Sequence, residues 1–283
     1  MARDPQVARL ISAYRNSRST IRERTKNVIG ASWRSLDSWR GPDIDAWVRL
    51  VTPVVEGAQM QTSSLTAAYL ARLDQLVTGT PARPTSIPAR LVNDLALRGV
   101  PTADVYSRMG LTIWTALSEG RTLTEGVAEA TKRLATTIAV DLQLSSTHTA
   151  REVATTSEQR IVGSRRVLDG SESCGLCIVA STQLYRPTEL MAIHPGCNCD
   201  VELIYSDWQF EQSYDLETLD NAHDAIAERF GGSDAEARDV PGATNPVTDL
   251  ALQYRDVLVT HEHGELGPVL GVRGQDFTGP DDI

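Results

Sequence analysis

The sequence predicts a mainly α-helical protein with an elongated helical N-terminal region, a small α+β module and an extended acidic C-terminal arm. Three observations support this fold class. Apolar side chains recur at helical spacing over the first 145 residues or so. Between residues 160 and 206 the pattern changes to short strand-like runs. Beyond that point the chain is acidic. We therefore divide it into a helical region (1–145), a cysteine-containing module (146–206) and an acidic extension (207–283).

The first predicted helix runs from Pro5 to about Ser35. Asp4 is a favourable N-cap, and proline is favoured at the first helical position that follows. An unbroken helix of this length is roughly 45 Å long. Its expected inward stripe consists of Val7, Leu10, Ile11, Tyr14, Ile21, Val28, Ile29 and Trp33. Its other faces carry Arg9, Arg15, Arg22, Arg24 and Lys26.

A second helix is expected to begin near Asp43, after Gly41-Pro42 ends the first segment. Its predicted inward residues are Ile44, Trp47, Leu50 and Val51. Pro53 is expected to end or kink this helix, because proline lacks the backbone N–H that the helix interior needs.

Three further helical segments follow a turn-rich loop at residues 78–88. Two short helices are predicted at 88–98 and 102–118. Thr122 and Glu125 have the spacing of a capping box, which predicts a helix from there toward residue 158.

Short strands are predicted at 160–162, 166–168, 183–185 and 201–205, with a turn at Asp169-Gly170. After Trp208 we expect a helix around 215–230 and a linker at 231–246. The last 25 residues, rich in glycine and proline, are expected to form an extended arm with little core of its own.

Charge is distributed unevenly along the chain. Residues 1–40 hold nine Lys/Arg against three Asp/Glu, a net charge of +6, whereas residues 200–283 hold four against nineteen, a net charge of −15. The acidic third argues against a generally nucleic-acid-binding surface, because it repels phosphates. Either the two ends meet different partners or each other, or the acidic tail is simply solvated.

Two absences bear on location. No apolar run approaches the ~20 residues that span a bilayer. The N-terminus lacks the apolar core of a signal peptide. We therefore expect the protein to fold in a reducing cytoplasm, without a membrane partner, where thiols stay free or bind metal.

All four cysteines of the chain lie within residues 174–199, and this clustering predicts a zinc site. Cys174 and Cys177 form a Cys-x2-Cys pair, and His194, Cys197 and Cys199 form a second cluster. Tetrahedral zinc takes four such ligands. Five donors are present, so either His194 or Cys197 is spare. We interpret this module as zinc-knuckle-like and the metal as structural; free thiols in a small core, or redox chemistry, are the alternatives.

Other combinations of reactive residues predict no catalytic site. His261 and His263 are two residues apart, whereas the zinc-protease motif places its histidines four apart on a helix. His148 follows Ser145 and Ser146, but no nucleophile-elbow glycines surround those serines. These residues therefore give no candidate for catalysis, and we expect the protein not to be an enzyme.

Three runs of residues resemble a known family. They are His148-Thr-Ala-Arg-Glu-Val-Ala, Arg165-Arg-Val-Leu-Asp-Gly-Ser-Glu-Ser-Cys-Gly-Leu-Cys and His194-Pro-Gly-Cys-Asn-Cys. Together they resemble the MuF-like minor capsid, or head morphogenesis, proteins of tailed phages. The resemblance covers about residues 146–205. It departs from the family pattern at Asn198, where arginine is common, and at Arg151-Glu152, where Arg-Thr is commoner. The run His263-Gly-Glu-Leu-Gly-Pro-Val-Leu is similar to the tails of related proteins from actinobacterial phages.

The resemblance implies a minor structural protein of the phage head. Such a protein is made in the host cytoplasm and becomes part of the virion, in several copies, inside the head or near the portal. Its implied partners are the portal protein, the major capsid protein and the packaged DNA, and its implied role is in head assembly and in genome packaging or release. The alternatives are a capsid maturation protease, a toxin-like transferase and a zinc-dependent nucleic-acid-binding protein.

Overall fold

The computed structural model describes residues 5–81, 84, 97–156, 161–167, 180–181, 184–186 and 200–205, and the backbone of 258–263 and 267–272. Its helices are α1 (Pro5–Arg34), α2 (Gly41–Thr78), α3 (Thr102–Ser118) and α4 (Leu123–Thr156). Its strands are β1 (Ile161–Val167), β2 (Leu184–Tyr185), β3 (Asp200–Tyr205), β4 (Leu258–His263) and β5 (Gly267–Val272). The prediction of a mainly helical fold is confirmed. None of the described helices combines the length and the apolar character needed to cross a bilayer.

The helical predictions hold for α1, α3 and α4, and the end of α2 differs; most of the helix predicted at 88–98 lies outside the described residues. α2 continues through Pro53 to Thr78, where the sequence predicted an end or a kink at the proline. Pro53 and Arg49 are both exposed, so water can reach the Arg49 carbonyl that lacks its N–H donor. Two residues predicted to face inward, Leu50 and Val28, are also mostly exposed.

Each helix runs antiparallel to the next along the chain. Tyr14 of α1 stacks on Tyr69 of α2, with ring centroids 4.1 Å apart. Near the other end of this pair, Trp33 of α1 meets Trp47 of α2, with centroids 4.8 Å apart. Trp47 in turn lies 6.2 Å from the ring of Tyr106 of α3. These contacts fix the helix order and form the aromatic part of the core.

The two buried indoles are also satisfied as hydrogen-bond donors. Nε1 of Trp33 donates to Oγ1 of Thr131 on α4 at 3.1 Å, and Nε1 of Trp47 donates to Oγ of Ser32 at 3.0 Å. A buried N–H without an acceptor is costly, so these bonds let the largest side chains enter the core. The rest of the apolar cluster comes from all four helices and includes Ile29, Val51, Met109, Ile113, Leu134 and Ile138.

A tight turn connects α3 to α4. Gly120 has φ +81°, a left-handed conformation that glycine adopts without steric cost. The predicted capping box is confirmed: the backbone N–H of Thr122 donates to Oε2 of Glu125 at 2.7 Å, and the N–H of Glu125 donates to Oγ1 of Thr122 at 3.3 Å. The turn therefore starts α4 directly against α3.

The chain divides into two compact units, and the division falls between Thr149 and Ala150, inside α4. The unit that begins at Ala150 contains a three-stranded antiparallel sheet in the order β2-β1-β3. The two strand-like runs predicted at 160–162 and 166–168 are one continuous strand, β1. In the predicted C-terminal arm, β4 and β5 pair as a two-stranded sheet that the sequence did not predict. The predicted helix around 215–230 and the linker at 231–246 lie outside the described residues.

Candidate metal centre and the buried charges of the fold

The end of β1 and the starts of β2 and β3 lie at one end of the three-stranded sheet. Val167, the last residue of β1, lies opposite Asp200, the first residue of β3. β2 is also antiparallel to β1, and its first residue, Leu184, lies opposite Arg165. β2 and β3 therefore both begin at the end where β1 finishes.

Chain connectivity then links this end of the sheet to both cysteine clusters. The segment with Cys174 and Cys177 follows Val167 and leads into β2. Cys199 directly precedes Asp200, the first residue of β3, in the sequence. The segments that contain the two clusters therefore border, in the sequence, on strands that finish or begin at this end of the sheet.

The five predicted site residues, Cys174, Cys177, His194, Cys197 and Cys199, all lie outside the described residues. In the ranges that are described, no group of three or more His, Cys, Asp or Glu side chains is placed to hold a metal ion. The donor chemistry of the five residues fits zinc, because thiolates and imidazole are the ligands that structural zinc sites use. The zinc site remains a prediction.

A buried ion pair fixes the register of the sheet. Arg165 of β1 and Glu202 of β3 are direct cross-strand partners. Nε and Nη2 of Arg165 lie 2.6 Å and 2.5 Å from Oε2 of Glu202, and both side chains are about 2% exposed. Because strand side chains alternate between faces, a slip of one residue would separate the two charges. Each would then be buried without its partner, at a cost of several kcal/mol.

The other face of β1 carries a second buried cation. The guanidinium of Arg166 lies over the ring of Tyr185 in β2, 5.3 Å from its centroid. The hydroxyl of Tyr185 donates to the backbone carbonyl of Ala180 at 2.9 Å. Gly163 allows β2 to approach, since a Cβ at this position would lie 3.0 Å from the carbonyl oxygen of Tyr185. These contacts hold the two-residue strand β2 against β1.

A separate buried charge group lies in the helical unit. The guanidinium of Arg98 forms an ion pair with Oδ1 of Asp141 on α4, and both side chains are fully buried. The hydroxyl of Tyr106 donates to Oδ2 of the same carboxylate at 2.6 Å. These three side chains therefore link the residues just before α3, α3 itself and the middle of α4.

Two serines that follow Asp141 bond to their own helix. Oγ of Ser145 donates to the carbonyl of Asp141, and Oγ of Ser146 donates to the carbonyl of Gln143, each at 2.8 Å. Both residues are buried. Their hydroxyl groups are therefore used in hydrogen bonds to the backbone of α4.

Neither buried charge group was predicted from the sequence. Glu202 stands between apolar residues of β3, and Asp141 follows the apolar run Ile138-Ala-Val of α4. A charged residue inside an apolar run is a usable signal for a buried ion pair, because charges are seldom fully buried without a partner. The partners themselves, Arg165 and Arg98, come from other elements and could not be read from the local pattern.

Comparison of the chain with models of protein families, with curated proteins and with solved structures gave no match.

Proposed function

We propose that this chain is a minor capsid, or head morphogenesis, protein of a tailed phage that acts by binding and without turnover. In this proposal it lies inside the head or near the portal, in several copies, and contacts the portal protein, the major capsid protein and packaged DNA. It takes part in head assembly and in genome packaging or release.

One structural observation supports the proposal beyond the motifs themselves. The resemblance covers residues 146–205, and there α4 is followed by a sheet in which β2 and β3 begin at the end where β1 finishes. Such an arrangement suits a small module closed by a metal. Four of Cys174, Cys177, His194, Cys197 and Cys199 would hold the zinc, which supplies a cross-link between the two segments.

The charge pattern gives the proposed protein two chemically different ends. Six of the nine basic residues of the first 40 lie in the part of α1 from Arg9 to Lys26. Glu23 is the one acidic residue of that helix. The last third of the chain has a net charge of −15. In the proposal these ends make different contacts in the head, and the metal-closed module holds its shape between them.

Quantitative mass spectrometry of purified virions tests the proposal directly. The expected result is a copy number between a few and a few dozen per particle, with the portal and major capsid proteins as internal standards of known stoichiometry. Absence from virions, combined with abundance in infected cells, would contradict the structural role and favour an assembly factor or a maturation protease.

A further inference from the structure

The outward face of α2 carries one charged residue, the exposed Arg49 at its edge, over the 23 residues from position 46 to position 68. Its two large members, Leu50 and Met60, are 61% and 56% exposed. The other members of this outer face are Ala46, Pro53, Gly57, Gln61, Ser64 and Ala68, all exposed. Steps of three and four residues place them on one side of the helix. The solvent face of a surface helix is usually charged or polar, so this one has the composition of a contact surface.

The outer face is self-complementary about Gly57. In an antiparallel pair of α2 helices centred on Gly57, residues at equal distances before and after it face one another. Leu50 then lies opposite Ser64, and Pro53 lies opposite Gln61. Leu50 therefore meets the small Ser64 and Ala46 meets Ala68, whereas Met60 is level with Val54. A Cβ added at Gly57 would meet nothing within 4 Å in the single chain, so the backbone is open to close approach there.

The two ends of the outer face have opposite charges. Asp43 lies fourteen residues before Gly57 and Arg72 lies fifteen residues after it; both are exposed, and Nη1 of Arg72 donates to Oε1 of Gln75 at 2.6 Å. Helical spacing places them on the same edge as Leu50, Gln61 and Ala68. In the antiparallel pair, Asp43 of one copy is level with Arg72 of the other. A parallel pair would instead align each charge with itself, which is unfavourable.

We propose that the outer face of α2 is the contact through which two copies of this chain associate, antiparallel, about a two-fold axis at Gly57. The same patch serves both copies, as a two-fold interface requires. The contact is about 33 Å long and about one helix, or roughly 10 Å, wide. At roughly 330 Å² per copy the contact is smaller than a standard protein interface, so the dimer is weak and concentration-dependent. The proposal does not depend on the phage assignment.

Sedimentation velocity of the full chain across a range of concentrations is the first test. The expected result is a monomer–dimer equilibrium. Leu50→Glu combined with Met60→Glu should weaken the dimer by at least about tenfold, because charges would be buried against an apolar partner. Val28→Glu combined with Leu111→Glu is the matched control, since these two are 57% and 62% exposed on other helices. A monomer at every concentration, or equal weakening by both pairs, would overturn the proposal.

Cysteine pairing tests the orientation. Leu50→Cys and Ser64→Cys chains are oxidised separately and as a mixture, with the parent chain as the background for the four native cysteines. The antiparallel arrangement predicts much more cross-linked dimer in the mixture than in either variant alone. Efficient cross-linking of Leu50→Cys with itself would indicate a parallel pair and overturn the assignment.

Discussion

The hydroxyl of Tyr106 donates a 2.6 Å hydrogen bond to Oδ2 of Asp141, a carboxylate with no exposed surface. Arg98 pairs with the other oxygen of the same carboxylate. A buried charge is tolerated only when it is paired and hydrogen-bonded. The bond therefore ties α3 to the middle of α4, next to the aromatic core in which Trp47 packs near Tyr106.

Tyr106→Phe should lower the free energy of unfolding by about 1.5–3 kcal/mol, the usual loss for a hydrogen bond to a charged group. The aromatic ring stays, so the packing against Trp47 is retained. Tyr14→Phe is the control, because its hydroxyl bonds to the neutral Oγ1 of Thr66 at 2.9 Å. That bond should contribute only about 0.5–1.5 kcal/mol. Urea denaturation followed by circular dichroism gives both values, and a larger loss in the control would contradict this account.

Gly126→Ala should destabilise the protein, although alanine is the better helix former. A Cβ at this position would lie 3.2 Å from Cβ of Ala116 and 3.2 Å from the carbonyl oxygen of Ile113. Overpacking of this kind typically costs about 1–3 kcal/mol.

Gly57→Ala is the matched control, because a Cβ at this position would meet nothing within 4 Å. It should stabilise α2 by about 0.5–1 kcal/mol when measured at low protein concentration, through helix propensity alone. Thermal unfolding of the two variants should therefore shift in opposite directions. A rise in melting temperature for Gly126→Ala would show that relieving the contact between α3 and α4 costs less than the gain in helix propensity.

Glu125→Gln should reduce stability near neutral pH and have no effect in acid. The hydrogen bonds from the side chain and the backbone of Thr122 lower the pKa of Glu125 below its ordinary value. A lowered pKa in the folded state means that the stabilisation is present above the ordinary glutamate pKa. It is lost as the pH falls through the lowered pKa of the folded protein. Unfolding curves of both proteins across this pH range should converge in acid, and a constant difference would rule out the carboxylate as the cause.

The sequence predicted the helices well where local signals and burial agree. Pro5 marks the start of α1, and Thr122 with Glu125 marks the start of α4, because caps act within one turn. Leu50 and Val28 were placed wrongly because helical spacing shows which residues could share a face. It cannot show whether a neighbouring helix covers that face. The course of α2 through Pro53 likewise depends on solvent access to the Arg49 carbonyl, which is a tertiary property.

For the candidate site, the spacing of cysteine and histidine identified the possible zinc ligands. It could not predict the strand order of the sheet that neighbours them in the sequence. The order β2-β1-β3 is a long-range property, and the Arg165–Glu202 pair that sets its register joins residues 37 positions apart. Neither partner of that pair carries a local signal that names the other. The structure shows that β2 and β3 begin at the end of the sheet where β1 finishes. The ligand set stays a prediction.

Cys174→Ser combined with Cys177→Ser should abolish stoichiometric zinc and unfold the sheet while leaving the helical unit intact. Zinc supplies roughly 10–16 kcal/mol of apparent binding free energy in small zinc modules, which a three-stranded sheet with two-residue β2 has little apolar core to replace. The helical unit has its own apolar cluster, drawn from α1 to α4. Elemental analysis after dialysis should give one zinc per parent chain and far less in the variant.

Hydrogen exchange locates the effect. Amides of β1 and β3 should lose protection in the double-serine variant, whereas amides of α1 and α2 should keep theirs. Ser171→Ala combined with Ser173→Ala is the matched control, since these hydroxyls flank the same segment and alanine cannot alter a thiolate ligand set. Unchanged zinc content and unchanged strand protection in the double-serine variant would eliminate the metal cross-link. Loss of protection in the control as well would show that the segment is sensitive to any substitution, with or without zinc.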